Sequence, residues 1–184
     1  MKTLILLVSY LLLAPCFAAE QWTAIQGDQS IQFTASYDEA AFKGLFRKFT
    51  STISIDPTNL ENSYIHSTID VTSINTNSRD RDQTLAESDW FFFSNFPQAT
   101  FHSTRILAIE NGRYSVTGEL QIRDQKKQIT FPLEWQVVND NQAHAKANFE
   151  LDRRNFNIGI GEWAEDETIG FNVSVDISID YQRK

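Results

Sequence analysis

The stretch "IGFNVSVDISIDY", Ile169 to Tyr181, decides the fold. Ile169, Phe171, Val173, Val175, Ile177, Ile179 and Tyr181 fall on every second position, with small or polar residues between them. On a helix this spacing would scatter the apolar groups around the axis; on a strand it makes one dry face and one wet face, the signature of an antiparallel sheet. The same period runs back through the chain. It is seen in Ala143, Ala145, Ala147, Phe149 and Leu151, in Ile129, Phe131, Leu133, Trp135 and Val137, and in Tyr114, Val116, Gly118, Leu120 and Ile122. Ile65, Ser67, Ile69 and Val71 share one parity with His66, Thr68 and Asp70 opposite; Ile53 and Ile55 flank Ser54; Ile31, Phe33, Ala35 and Tyr37 form a further row. Turn signals separate the rows: "DPTN" from Asp56, "ENG" from Glu110, "DQKK" from Asp124 and "NDNQ" from Asn139. Seven or eight strands joined by short turns read as a sandwich or a closed barrel, and closure removes the exposed edges that long strands leave. The expectation is an all-β, single antiparallel barrel.

The alternation fails between Ser73 and Ala99. "SRDRDQTLAESDW" carries helix formers and predicts a short helix near Asp80–Glu87. "SDWFFFSNFP" follows, with Trp90, Phe91, Phe92, Phe93 and Phe96 in ten residues. Neither helix nor strand period puts these rings on one face. Each hides on the order of 150–250 Å² when buried, worth roughly 25 cal/mol per Å², so most must find apolar space. An insertion across a barrel end acts as a lid, with its rings turned into the barrel and its rim.

The 184 residues are enough for one domain with a real core. "MKTLILLVSYLLLAPCFA" has one cation, an apolar run and small residues, the layout of a cleavable signal peptide over residues 1–18, leaving a domain over 19–184. A lipoprotein reading would place the lipid on Cys16, but Pro15 fits that signal poorly. Cys16 is the single cysteine, so an exported domain without it relies on core and strand pairing and points to a periplasm. "NVS" at Asn172 matches a glycosylation triplet that is idle in that compartment. The formal charge is −8, and −9 without Lys2; with no basic face, nucleic acid and anionic lipid surfaces are disfavoured partners.

The interior rings (Phe33, Phe42, Phe46, Phe49, Phe101, Phe149, Phe156 and Trp163 beside the Trp90–Phe96 cluster) either pack solid or surround one guest, since eight-stranded barrels do both. "SRDRD" reads as a solvated helix start with local ion pairs, or as a way to place Arg81 at the barrel mouth facing a phosphate or quinone oxygen; Arg47 and Lys48 are similar candidates, and Arg153 and Arg154 weaker ones. His66, His102 and His144 lie on separate strands, with no metal-binding spacing among them. No nucleophile elbow, phosphate loop or dinucleotide fingerprint occurs. An acid–base pair among Asp70, Glu87, Asp89, Glu162 and Glu165 would support an isomerase or cyclase in a polar barrel. "GIGEWAEDE", Gly159 to Glu167, would serve a ligand-free scaffold as a partner surface, or tuck Trp163 back onto the barrel end.

Several fragments, in order, resemble the YceI family of lipid-binding, lipocalin-like periplasmic proteins. They are "SIQF", "FKGLFRKFTSTISIDP" with Gly44, Phe46, Phe49 and Asp56, "IHSTIDVTSINT", "RDQTLAESDWF", "FPQATFHST", "YSVTGELQIR", "ITFPL" and "LDRRNFNIGIGEW". The resemblance implies an eight-stranded lipocalin-like barrel with the helical insertion closing one end. It implies a pore for a long-chain isoprenoid-type lipid, polyprenyl or quinone-like, a binding or carrier role instead of an enzyme, and no cofactor or metal. A membrane b-type cytochrome or quinone system is an expected partner, and a homodimer is allowed. The ligand-binding residues expected are Phe33, Phe42, Phe46, Phe49, Ile69, Val71, Arg81, Trp90, Phe91, Phe92, Phe96, Phe101, Phe149, Phe156, Ile158 and Trp163. The chain departs from the family at Asn75 and Asn155, where Asp is usual, at Asn77 and Asn157, where Gly is common, at Thr84, and at Gln121 and Asp124. Two carboxylates thereby become amides, and a changed head-group preference is the expected result.

Overall fold

The computed structural model describes residues 20–25, 27, 31–165 and 168–184. The expected signal peptide over 1–18, with Cys16, lies outside the described residues. The strands are β1 (Trp22–Ala24), β2 (Ile31–Tyr37), β3 (Ala40–Phe46), β4 (Phe49–Ser54), β5 (Tyr64–Asp70), β6 (Ile74–Asn75), β7 (Gln98–Glu110), β8 (Arg113–Ile122), β9 (Gln125–Asn139), β10 (Gln142–Asp152) and β11 (Asn172–Arg183). They pair in the order β1-β4-β5-β7-β8-β9-β10-β11, and β11 pairs back onto β1, closing an eight-stranded antiparallel barrel. The remaining strands extend the wall beyond this ring: β2 pairs with β11, β3 with β2 and β6 with β3. Because β1 and β2, β3 and β4, and β5 and β6 are neighbours in sequence, each couple acts as one interrupted stave.

The two ends differ. Hairpin turns at 111–112 and 140–141 and the chain's last strand residues gather at one end. There Trp22 meets Trp135 edge-on at 5.8 Å, and Trp135 meets Tyr181 at 5.4 Å. Together with buried Tyr114 and Ile53 these rings form a packed floor. The other end carries the long connections, 76–97 and 153–171, and the turns at 38–39 and 123–124. The helix α1 (Arg79–Ala86) lies in the first connection, within one residue of expectation. Ser78 caps its start and Asp80 and Asp82 stand in its first turn, both favourable at a helix N-terminus. Leu85 is its buried residue.

Alternation holds along most strands: on β8, Tyr114, Val116, Gly118 and Leu120 point inward and are buried. Val137 is the exception, standing 52% exposed, because β9 there has run past the start of β8, whose Arg113 pairs with Glu134. Tyr37 is likewise exposed, at the tip of a β2–β3 turn built from two left-handed residues, Asp38 and Glu39.

Candidate functional site

Inward-facing rows are sealed at the floor and become accessible farther up. Ile179 and Tyr181 are buried, yet Val173, Val175 and Ile177 on the same face of β11 are only half-buried. Ala143, Ala145 and Ala147 give way in the same manner to Phe149 and Leu151, and Phe131 to Ile129. Side chains that point into a barrel and still present surface must face a hollow. That hollow measures about 210 Å³ and runs from Ile53 and Tyr181 at the floor to Leu85, Trp90 and Ile158 at the loop end. Native cores hold few voids larger than a water molecule, and an apolar cavity of about 150 Å³ stays dry and takes up an apolar guest. The interior is therefore not packed solid.

Twelve of the sixteen expected residues line the hollow: Phe33, Phe42, Phe46, Phe49, Ile69, Val71, Trp90, Phe91, Phe101, Phe149, Phe156 and Ile158. The rings Phe42, Phe33, Phe46 and Phe91 form a continuous contact chain with centroid separations of 6.4, 5.6 and 5.8 Å. Four expected residues stand outside the wall. Phe92 takes a left-handed backbone (φ 53°), which turns its ring away to pair with Phe96 at 6.0 Å. Phe96 is in turn covered by the Arg123 guanidinium at 5.7 Å. Trp163 packs on Trp90 from behind, at 5.7 Å. Arg81 lies over Phe42 at 4.3 Å and donates to the Thr76 carbonyl at 3.0 Å, so it braces the rim from outside. Its neighbour Asp82 accepts from Thr76 N and Oγ1 at 2.9 and 2.6 Å, which makes the alternating charges local ties.

Two loops share the work of closing the upper end. Gly159 N and Ile160 N both donate to the Asp89 carbonyl, at 2.8 and 3.0 Å. Arg123, in the β8–β9 turn, donates to the carbonyls of Trp90 at 2.8 Å and Asn157 at 2.5 Å, clamping both loops. Nothing in the sequence pattern marked Arg123 for this; its reach depends on a left-handed backbone in the turn (φ 55°). Arg153 is 4% exposed and organises the second loop. Its guanidinium donates to six backbone carbonyls, those of Ile158, Gly159, Trp163, Glu165, Ile169 and Gly170, at 2.7–3.2 Å. It lines the hollow, but its hydrogens are aimed at the loop, not at the space. Arg154 instead bonds Asp152 and stacks on Phe171 at 3.7 Å, while Arg47 and Lys48 are exposed.

The chain matches the YceI-like domain family over residues 22–181. It belongs to the YceI family. A UPF0312 protein of Vibrio campbellii is 33% identical over 122 residues, and the match spans 65% of each chain, just under two thirds of that relative's length. Protein YceI of Escherichia coli O157:H7 is 28% identical over 140 residues, 72% of each. Among solved structures, Burkholderia cenocepacia BcnA superposes with a TM-score of 0.78 at 26% identity, covering 83% of this chain and 95% of that one. A polyisoprenoid binding domain from Saccharophagus degradans has the same fold at 16% identity, with a TM-score of 0.72 and coverage of 89% and 98%.

The polar inventory of this YceI barrel is short. Ser51, Ser67, Tyr181 and Arg153 are the polar side chains in the wall, with no Asp, Glu or His among the described lining residues. The carboxylates considered for acid–base work sit elsewhere: Asp70 caps the turn after β5 by accepting from Thr72, and Glu87, Asp89, Glu162 and Glu165 belong to the outer loops. Among the described residues no three His, Cys, Asp or Glu side chains gather to hold a metal. His66 and His102, 36 residues apart in sequence, nevertheless face each other across β5 and β7 with ring centroids 4.9 Å apart. Partial burial, and then the His102 imidazole, hold His66 below the ordinary histidine range. No helix among the described residues is long and apolar enough to cross a membrane.

Proposed function

We propose that this chain binds and carries an isoprenoid-type lipid in the barrel, with the hydrocarbon lying along the hollow beneath the two-loop lid. The observation that carries the reading is the hollow itself, walled by aliphatic and aromatic side chains from floor to lid. Burial of a chain there contributes about 0.8 kcal/mol per CH₂ before the costs of ordering it, so affinity needs no charged contact. The Saccharophagus relative, described as polyisoprenoid binding, supports the ligand class. The signal-like layout of residues 1–18 and the absence of any cysteine beyond Cys16 support a periplasmic setting, where a water-insoluble lipid needs a carrier between membranes. Binding is favoured over catalysis because a general acid or base must touch the guest, and the described wall offers no carboxylate or imidazole.

Organic extraction of protein purified from its own host, followed by mass spectrometry, tests the reading. A stoichiometric isoprenoid-type lipid is expected. Extracts free of lipid, together with turnover of a small polar substrate, would replace the carrier with an enzyme.

A further inference from the structure

Three hydroxyls stand together near the floor of a hollow whose other polar lining groups, Arg153 and the Trp90 indole, lie at the loop end. Tyr181 Oη donates to Ser51 Oγ at 2.8 Å, and Ser51 Oγ shares a second hydrogen bond with Ser67 Oγ, also 2.8 Å. They come from β11, β4 and β5, and all three line the hollow. Tyr181 and Ser51 are almost wholly buried, whereas Ser67 is half-buried on the inward face of β5 and turns its accessible part to the space. Three hydroxyls carry three hydrogens, and the two internal bonds use two. Whichever serine donates to the other, one O–H is left at the edge of the hollow, with lone pairs beside it. A buried donor left unmade is costly, and protein interiors normally satisfy it.

Charge has no counterpart here. Burial pushes the Tyr181 phenol up to about 12, so it stays a neutral donor at physiological pH. The cation in the described wall, Arg153, lies at the opposite, loop end and is directed at six carbonyls. An anionic head group pushed down to the hydroxyls would be desolvated without a charge partner.

We propose that Tyr181, Ser51 and Ser67 form a subsite for one uncharged oxygen of the guest, such as a carbonyl, phenol or alcohol, so that the lipid enters oxygen-first and its tail extends toward the lid. This rests on the reading of the hollow as a lipid site. It selects prenols and prenylated quinones over prenyl phosphates, and it gives the bound chain a direction.

Lipid-free protein is titrated with geranylgeraniol, the corresponding hydrocarbon lacking the oxygen, and geranylgeranyl monophosphate, each by competition against a fluorescent prenyl probe. The alcohol is expected to bind about tenfold tighter than the hydrocarbon, the return on one buried hydrogen bond, and tighter than the phosphate. In the Ser51→Ala/Ser67→Ala/Tyr181→Phe variant, which removes all three hydroxyls, the alcohol falls to the hydrocarbon's affinity while the hydrocarbon still binds. Equal affinities for alcohol and hydrocarbon in the unaltered protein overturn the subsite and leave the carrier standing. So does a phosphate that binds as tightly as the alcohol. A variant that loses both ligands equally shows the hydroxyls only to be ties between strands. If none of the three ligands displaces the probe and the probe itself does not bind, the carrier reading falls, and the subsite with it.

Discussion

A Cβ placed on Gly159 would sit 2.6 Å from Nη1 of Arg153 and 3.1 Å from the Trp90 ring. The buried guanidinium and the lid tryptophan occupy the room that any side chain at 159 would need. The backbone there is also left-handed, at φ 70°, which glycine adopts without strain. Gly159→Ala is therefore expected to lower unfolding free energy by about 1–3 kcal/mol and to raise hydrogen exchange across residues 156–165. A melting curve with unchanged lid protection would show that the loop relaxes around the methyl group.

Arg153 makes a stronger prediction. Arg153→Leu keeps much of the bulk but strips the donors from six carbonyls, several of them buried. The expected loss is about 3–5 kcal/mol, as for removing one side of a buried charged network, read by urea unfolding. Arg153→Lys offers three donors for six acceptors and should recover only part of it.

The lid can be tested at the rings. Trp90→Asp puts a carboxylate into the hollow's wall and should abolish lipid retention in folded protein. Gln125→Asp, in the opposite flank of the β8–β9 turn, should leave retention intact. Phe92→Asp should fall between the two, since Phe92 braces Phe96 on the outside and does not touch the hollow. Retention measured after detergent washing distinguishes them; equal loss in all three would mean that Trp90 has no special place.

The far end of the Phe33 ring reaches over Gly44, its partner in the β2–β3 register, and a Cβ there would meet the ring at 2.2 Å. Gly44→Ala must push the ring toward the hollow. Lower affinity for a long-chain guest is expected, with a stability cost of about 1–3 kcal/mol from overpacking. A guest bound as tightly as before would place it elsewhere than beside Phe33.

His66 gives the pH dependence. Its pKa is depressed in the folded protein by burial and by the facing His102, so folding disfavours its proton. Stability from this group is complete above the unfolded value of about 6.5 and is lost as pH falls through the lower folded value. His66→Asn should flatten the decline of the melting midpoint between neutral and mildly acidic pH; an unchanged slope would assign it to other groups.

Strand rows and the helical break were readable because alternation and its failure are local patterns. The stave Ala40–Phe46 was not read, since "AAFKGLF" puts Gly44 where a large inward residue belongs and Asp38-Glu39 is a poor signal for a left-handed turn. The ring cluster lies at one end of the barrel, as its break from alternation suggests, but which rings face inward depends on φ at Phe92, which no spacing reveals. Arg153 reads from sequence as a weak candidate for the barrel mouth and Arg123 carries no signal; their carbonyl partners come from loops brought together only by barrel closure. The departures from the family pattern are explained by backbone geometry in two cases. Asn77 and Asn157 are left-handed, as glycine would be, whereas Asn75 accepts from Asn77 N at 2.8 Å, a bond that an aspartate would accept equally. Those positions hold turns and do not touch the hollow, so they give no reason for an altered head group.

The proposed function stands or falls on whether the barrel interior holds one apolar guest. Native mass spectrometry of the protein as isolated from its host measures this most directly. The expected spectrum shows a population at the mass of the polypeptide plus a single isoprenoid-type lipid, converting to the bare polypeptide on delipidation and returning when a prenyl lipid is added back. A spectrum showing bare polypeptide throughout, with no adduct even after incubation with excess prenyl lipid, would contradict it.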